Sequence, residues 1–91
     1  MSRERLKRVH ELIREEKAQE ARRVFNDIEQ EETVHYYFVK GELEQKFQNW
    51  GDAINAFSKV MEMDPGNLEA KNNLHLIQNI LNFWNPEMFN P

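Results

Sequence analysis

Hydrophobic residues recur every three or four positions along this chain, with charged and amide side chains between them. This spacing predicts amphipathic α-helices. Five helices are predicted, at about residues 3–15, 18–29, 34–47, 52–63 and 68–83. The expected fold class is therefore all-α, and a chain of 91 residues is expected to form a single domain.

Cap and turn residues mark the ends of these helices. Suitable N-caps precede the first, third and fifth helices: Ser2, Thr33 and Asn67. The acidic run at residues 29–32 is unfavourable at a helix C-terminus, so we expect a loop there. Residues 48–51 are expected to form the turn between the third and fourth helices, and Asp64-Pro65 to end the fourth. The proline-containing residues 85–91 are expected to form a tail beyond the last helix.

One spacing of apolar residues occurs twice, 32 positions apart. The two copies are Ala18, Ala21, Phe25 and Ile28, then Trp50, Ala53, Phe57 and Val60. The repetition indicates two helical hairpins, with coincidental helical periodicity as the alternative. Gly41 supports the hairpin interpretation, because a glycine inside a helix costs about 1 kcal/mol relative to alanine. Its presence predicts close packing between the third and fourth helices.

The segment at residues 34–67 resembles a tetratricopeptide repeat, whose unit is a pair of antiparallel helices of about 34 residues. The matching residues are Tyr37, Gly41, Trp50, Ala53, Phe57 and Pro65. Lys40 and Glu44 depart from the family pattern. Residues 1–33 resemble a degenerate unit, and residues 68–84 resemble the first helix of a further unit that would cap the array. The resemblance implies a solenoid of two repeats plus a C-terminal capping helix, which serves as a scaffold for protein binding.

In that family, the first helix of each unit lines a concave groove that receives a peptide or a partner helix. The resemblance implies these groove residues here: Arg3, Leu6, Lys7, His10, Arg14, His35, Phe38, Val39, Glu42, Lys46, Glu69, Asn72, Asn73 and Leu76. Some members bind the acidic tail of heat-shock chaperones through a clamp of Lys, Asn and Arg. That clamp is matched poorly here, because Leu6, His10 and Val39 stand at its positions, so no chaperone-tail binding is expected.

The last helix carries two apolar stripes. Ala70, Leu74, Ile77 and Leu81 are expected to pack on the preceding helices. The second stripe, Leu76, Ile80 and Phe83 with Trp84 following, would lie on the outer face of a terminal helix, where a polar surface is expected. The tail, with Trp84, Met88 and Phe89, could cover this stripe by folding back, and we favour this interpretation. The alternative is contact with another copy of the chain or with a partner.

Composition narrows the possible functions further. The net charge of −4 and the lack of a basic stripe with interleaved aromatics give no reason to expect nucleic acid as a partner. The chain has no cysteine, so no disulfides are expected. No apolar run reaches the length of a membrane span, and the charged N-terminus resembles no signal peptide. A cytoplasmic location and no membrane partner are therefore expected.

The residues that could perform catalysis are dispersed. His10, His35 and His75 lack the i, i+4 pairing of a helical metal site, so each is expected at the surface or between helices. The carboxylates form no pair distinct from ordinary helical surface charge, and no glycine-rich phosphate loop occurs. We therefore expect no enzyme activity, no catalytic residues, no bound metal and no cofactor.

The function that this sequence favours is a non-catalytic interaction module that binds a peptide or partner helix in a concave groove. The alternative is a self-associating structural module that forms a homodimer through its C-terminal aromatic face. A monomer is favoured.

Overall fold

The computed structural model describes residues 3–84, which contain five α-helices and no β-strand. The helices are α1 at Arg3–Arg14, α2 at Ala18–Asn26, α3 at Val34–Lys46, α4 at Trp50–Met63 and α5 at Leu68–Trp84. The predicted all-α class is therefore confirmed. The expected Ser2 cap and the expected tail at residues 85–91, which includes Met88 and Phe89, lie outside the described residues.

Side-chain caps begin two of the helices, as the sequence predicts. The hydroxyl oxygen of Thr33 accepts a hydrogen bond of 3.1 Å from the backbone N–H of Tyr36 at the start of α3. The Asn67 side-chain oxygen accepts one of 2.9 Å from the backbone N–H of Ala70 in α5. Each bond satisfies a first-turn N–H that has no partner within its helix.

Two helix boundaries differ from the prediction. α2 ends at Asn26 rather than near residue 29, so the connection to α3 is longer than expected. α4 begins at Trp50 rather than at residue 52. The turn before it is short because Gln48 adopts a left-handed backbone conformation with φ of 60°. The Asn49 carbonyl then accepts a hydrogen bond from the N–H of Ala53, which starts α4 early.

The helices pack mainly against their neighbours in the chain. α1 packs against α2, α3 packs most extensively against α4, and α5 packs against α4. α3 also contacts α1 and α2, so it joins the first two helices to the last two. None of the helices within residues 3–84 combines the length and the hydropathy that a membrane span requires.

The core between these helices contains a close contact at Gly41. A Cβ placed on Gly41 would lie 2.7 to 2.9 Å from three ring carbons of Phe57, which is fully buried. Phe38 meets the same ring edge-on, with 5.6 Å between the ring centroids. The predicted close packing of α3 and α4 at Gly41 is confirmed.

The two stripes of α5 have different environments. Ala70 and Ile77 are fully buried, and Leu74 and Leu81 pack against the core at its edge. The prediction for this stripe is therefore confirmed. On the other stripe, Leu76 is 49% exposed and Phe83 is 78% exposed.

Candidate functional site

Three helices that are not consecutive in the chain contribute to one pocket. It has a volume of about 330 Å³, and we call it the α1–α3–α5 pocket. Its lining residues come from α1, α3, α5, the turn between α3 and α4, and the start of α4: Ile13, Glu42, Gln45, Lys46, Gln48, Trp50 and Asn73. Trp50 is half-buried, so the pocket combines an indole ring with amides and charged groups.

Local helix geometry explains why these side chains meet. Glu42, Gln45 and Lys46 stand at i, i+3 and i+4 of α3, which places them on one face of that helix. Trp50 reaches the pocket because α4 begins directly after the tight turn at Gln48. Asn73 donates a hydrogen bond of 2.9 Å to the Glu69 carbonyl, which fixes its amide against its own helix.

A hydrogen-bonded pair joins α1 to α3 beside the pocket. His10 Nδ1 and Glu42 Oε1 are 2.7 Å apart, and the Glu42 side chain is 20% exposed. Burial raises the pKa of Glu42, the bond to His10 partly opposes this change, and the charge of Glu69 adds to it. The expectation of an interhelical position is therefore confirmed for His10.

Basic side chains lie along α1, which packs against α3. Arg3, Lys7 and Arg14 are exposed and occupy positions of α1 that share a face with His10. His35 lies at the start of α3 and is mostly exposed. Partial desolvation of its ring, followed by the electrostatic effects of Arg3 and then of His10, lowers the pKa of His35. The basic residues therefore form a row along the length of α1.

Two residues of the expected groove belong to the core instead. Leu6 and Val39 are each only 1% exposed, because they lie on buried faces of α1 and α3. They are therefore not available to a ligand. Phe38 is partly buried and packs edge-on against Phe57, so it supports the core more than an open groove.

The remaining expected groove residues lie at the surface. Lys46 is exposed, and its ammonium lies 3.2 Å from a carboxylate oxygen of Glu16. Glu69, Asn72 and Leu76 are exposed on α5. Of the expected groove residues, the pocket brings together Glu42, Lys46 and Asn73.

Four pocket residues are not among the expected groove residues: Ile13, Gln45, Gln48 and Trp50. Gln45 had a usable signal, because it stands three positions after Glu42 on the same helix face. Trp50, which its place in the repeat predicts to be a core residue, packs partly buried against the core and also lines the pocket.

A second polar cluster joins α2 to α3 at a different place. Arg22 donates two hydrogen bonds, of 3.1 and 2.7 Å, to the carboxylate of Glu44, which is 7% exposed. Asn49 donates a third of 2.9 Å, and the Arg22 guanidinium lies 4.6 Å from the centroid of the Phe47 ring. The bond from Arg22 lowers the pKa of Glu44. This pair corrects the expectation that every carboxylate belongs to ordinary surface charge.

No group of three or more metal-ligating side chains occurs within residues 3–84. The chain matches no protein-family model, and comparisons with curated proteins and with solved structures gave no match.

Proposed function

We propose that this chain is a non-catalytic protein-interaction module that binds a peptide or a partner helix at the α1–α3–α5 pocket. The observation that supports the proposal is that three helices, adjacent only in space, contribute side chains to one pocket. The tetratricopeptide resemblance implies a groove lined by the same three helices. Three residues of the implied groove line the pocket: Glu42, Lys46 and Asn73.

The pocket chemistry suits a short segment of polypeptide. Trp50 offers apolar surface to a hydrophobic side chain of the partner. Gln45, Gln48 and Asn73 carry amides, each of which has both donor and acceptor atoms. Such groups can bond the N–H and C=O groups of an extended backbone. The expected ligand is thus a peptide with one apolar anchor.

Charge along α1 favours acidic residues in that peptide. Arg3, Lys7 and Arg14 form an exposed basic row on α1, although the whole chain has a net charge of −4. Glu42, which lies nearest to this row, already bonds His10. Complementary charges give specificity and speed association. We therefore expect acidic side chains in the partner beside its apolar anchor.

Selection of random peptides displayed on phage, using the immobilised protein, tests this proposal. Binding of a selected synthetic peptide is then measured by fluorescence anisotropy. Gln45→Ala and Asn73→Ala are each expected to weaken binding about tenfold, since central contacts of an interface are worth about 1–2 kcal/mol. Gln19→Ala, an exposed amide change on α2, is the matched control and is expected to leave binding unchanged.

Circular dichroism confirms that each variant keeps its helical content. The proposal is contradicted if no peptide is enriched. It is equally contradicted if the selected peptides bind Gln45→Ala and Asn73→Ala as tightly as the unchanged protein.

A further inference from the structure

The second half of α5 presents an exposed surface that lacks formal charge. Residues 72–84 contain no Asp, Glu, Lys or Arg, although 31% of the chain is charged. Leu76, 49% exposed, and the half-buried Ile80 stand one turn apart on one face. Asn72 and Asn79 flank them and are exposed. This surface, which we call the α5 outer face, is the set Asn72, Leu76, Asn79 and Ile80.

The opposite side of the helix already has its packing partner. Ala70 and Ile77 are fully buried where α5 packs against α4. A helix with apolar residues on a second side is typical of one that packs on both sides. The apolar row at Leu76 and Ile80 is therefore suited to contact with another helix.

The absence of charge selects the type of partner. In a two-fold symmetric dimer, the same patch of both copies meets itself, so a charged side chain near the axis lies close to its own copy. The α5 outer face avoids this repulsion, while a net charge of −4 opposes self-association elsewhere. Asparagine amides are self-complementary, since each can donate and accept. A highly charged partner would be matched by charged residues, and this face has none.

We propose that the α5 outer face packs against the same face of a second copy of this chain. The two α5 helices run antiparallel, with Leu76 of one copy beside Ile80 of the other. A helix of 17 residues is about 25 Å long. One face of such a helix buries less than the roughly 800 Å² per partner of a standard interface, so the dimer is a weak one.

Sedimentation equilibrium of the full chain tests the proposal. The mass is expected to rise from 11.0 kDa at low micromolar concentration towards twice that value at several hundred micromolar. Leu76→Glu places two carboxylates near the symmetry axis, so it is expected to raise the dissociation constant at least tenfold. Gln78→Glu introduces the same charge at an exposed residue of α5 that lies about 200° around the helix from Leu76, so association is expected to remain.

A chain that ends at Trp84 separates this interface from one made by residues 85–91. Association is expected to persist in that shortened chain. Three outcomes overturn the proposal: a monomer at every concentration, unchanged association in Leu76→Glu, or loss of association in the shortened chain. Circular dichroism establishes whether the variants remain helical. If a variant does not fold, the concentration dependence of the mass of the unchanged protein still tests whether the chain forms a dimer.

Discussion

Glu42 and Glu44, two glutamates on α3, have opposite electrostatic environments. Two positions of an α-helix differ by about 200° around its axis, so these side chains point to different neighbours. Burial raises the pKa of Glu42 on the side facing α1. The hydrogen bond from Arg22 lowers the pKa of Glu44 on the side facing α2. At neutral pH, the charged form of Glu42 therefore opposes folding, whereas the charged form of Glu44 supports it.

Glu44→Gln is expected to make stability less sensitive to acid. Because the folded pKa of Glu44 is depressed, its contribution is present above the ordinary value of 4.5 and is lost as pH falls through the folded pKa. At neutral pH the variant loses a charge-assisted bond and about 1–2 kcal/mol of unfolding free energy. Urea unfolding at a series of pH values measures both effects.

Glu42→Gln serves as the control of opposite sign. A raised folded pKa gives a contribution that is present below pH 4.5 and is lost as pH rises through the folded pKa. This variant is therefore expected to be at least as stable as the unchanged protein at neutral pH. If both variants lost stability equally at neutral pH, the assigned environments would be wrong.

Gly41→Ala is expected to lower the unfolding free energy by about 1–2 kcal/mol, even though alanine is the better helix former. The new methyl would lie within 2.9 Å of the Phe57 ring, which has no exposed surface through which to move away. Gly51→Ala is the matched control, because nothing lies within 4 Å of its Cβ position. There we expect a gain of about 0.5 kcal/mol from helix propensity. Thermal and urea unfolding distinguish a loss from a gain.

At the scale of the helices, the packing of α2 against α3 includes a polar contact that is distant in sequence. Arg22 and Glu44 are 22 residues apart, and their bonds join the first two helices to the second two. Helical periodicity predicts apolar faces but not which charged residues meet across them.

The existence of all five helices and the Thr33 and Asn67 caps could be predicted, because these depend on local sequence. The start of α4 could not be predicted, because the turn before it places Gln48 in the left-handed backbone region, which glutamine rarely adopts.

Arg22→Ala is expected to lower the unfolding free energy by about 2 kcal/mol, because it leaves the buried Glu44 carboxylate without its cation. Arg23 follows Arg22 in α2 and is exposed. Arg23→Ala is therefore expected to change the unfolding free energy by less than about 0.5 kcal/mol. Chemical denaturation of both variants at neutral pH provides the comparison. Equal losses would mean that the helix as a whole, rather than the Arg22–Glu44 pair, determines the effect.

Across the whole molecule, α3 occupies the centre and α5 one end of the packing order. α3 contacts α1, α2 and α4, whereas α5 packs mainly against α4. In arrays whose elements contact mostly their neighbours, the terminal elements open most easily. Stability is therefore expected to decrease from α3 towards α5.

Hydrogen exchange of two cavity-forming variants tests that gradient. Leu43→Ala in α3 and Ile77→Ala in α5 each remove a fully buried side chain and cost about 2–4 kcal/mol locally. Leu43→Ala is expected to accelerate amide exchange in all helices, whereas Ile77→Ala accelerates it mainly in α5. Uniform acceleration by both variants would contradict the gradient.

The candidate site was predictable only in outline. The odd-numbered helices were expected to share a surface, and Glu42, Lys46 and Asn73 do line one pocket. Leu6 and Val39 were wrongly expected in the groove. The resemblance predicts which helix a residue belongs to, but it does not predict the rotation of that helix about its axis, which decides whether the residue is buried or exposed. The contribution of Trp50 to the pocket could not be predicted, because it depends on the backbone of the preceding turn.

The position of Trp50 in the pocket has a spectroscopic consequence. Indole emission shifts to shorter wavelength when water is displaced from the ring. A peptide that fills the pocket is therefore expected to shift the emission of Trp50 to shorter wavelength, so that binding can be measured without a label. The chain contains two tryptophans, and Trp84→Phe would leave Trp50 as the single emitter. A blue shift on titration that disappears in Asn73→Ala would identify where the ligand lies. The intrinsic fluorescence of Trp50 thus reports peptide binding at the pocket.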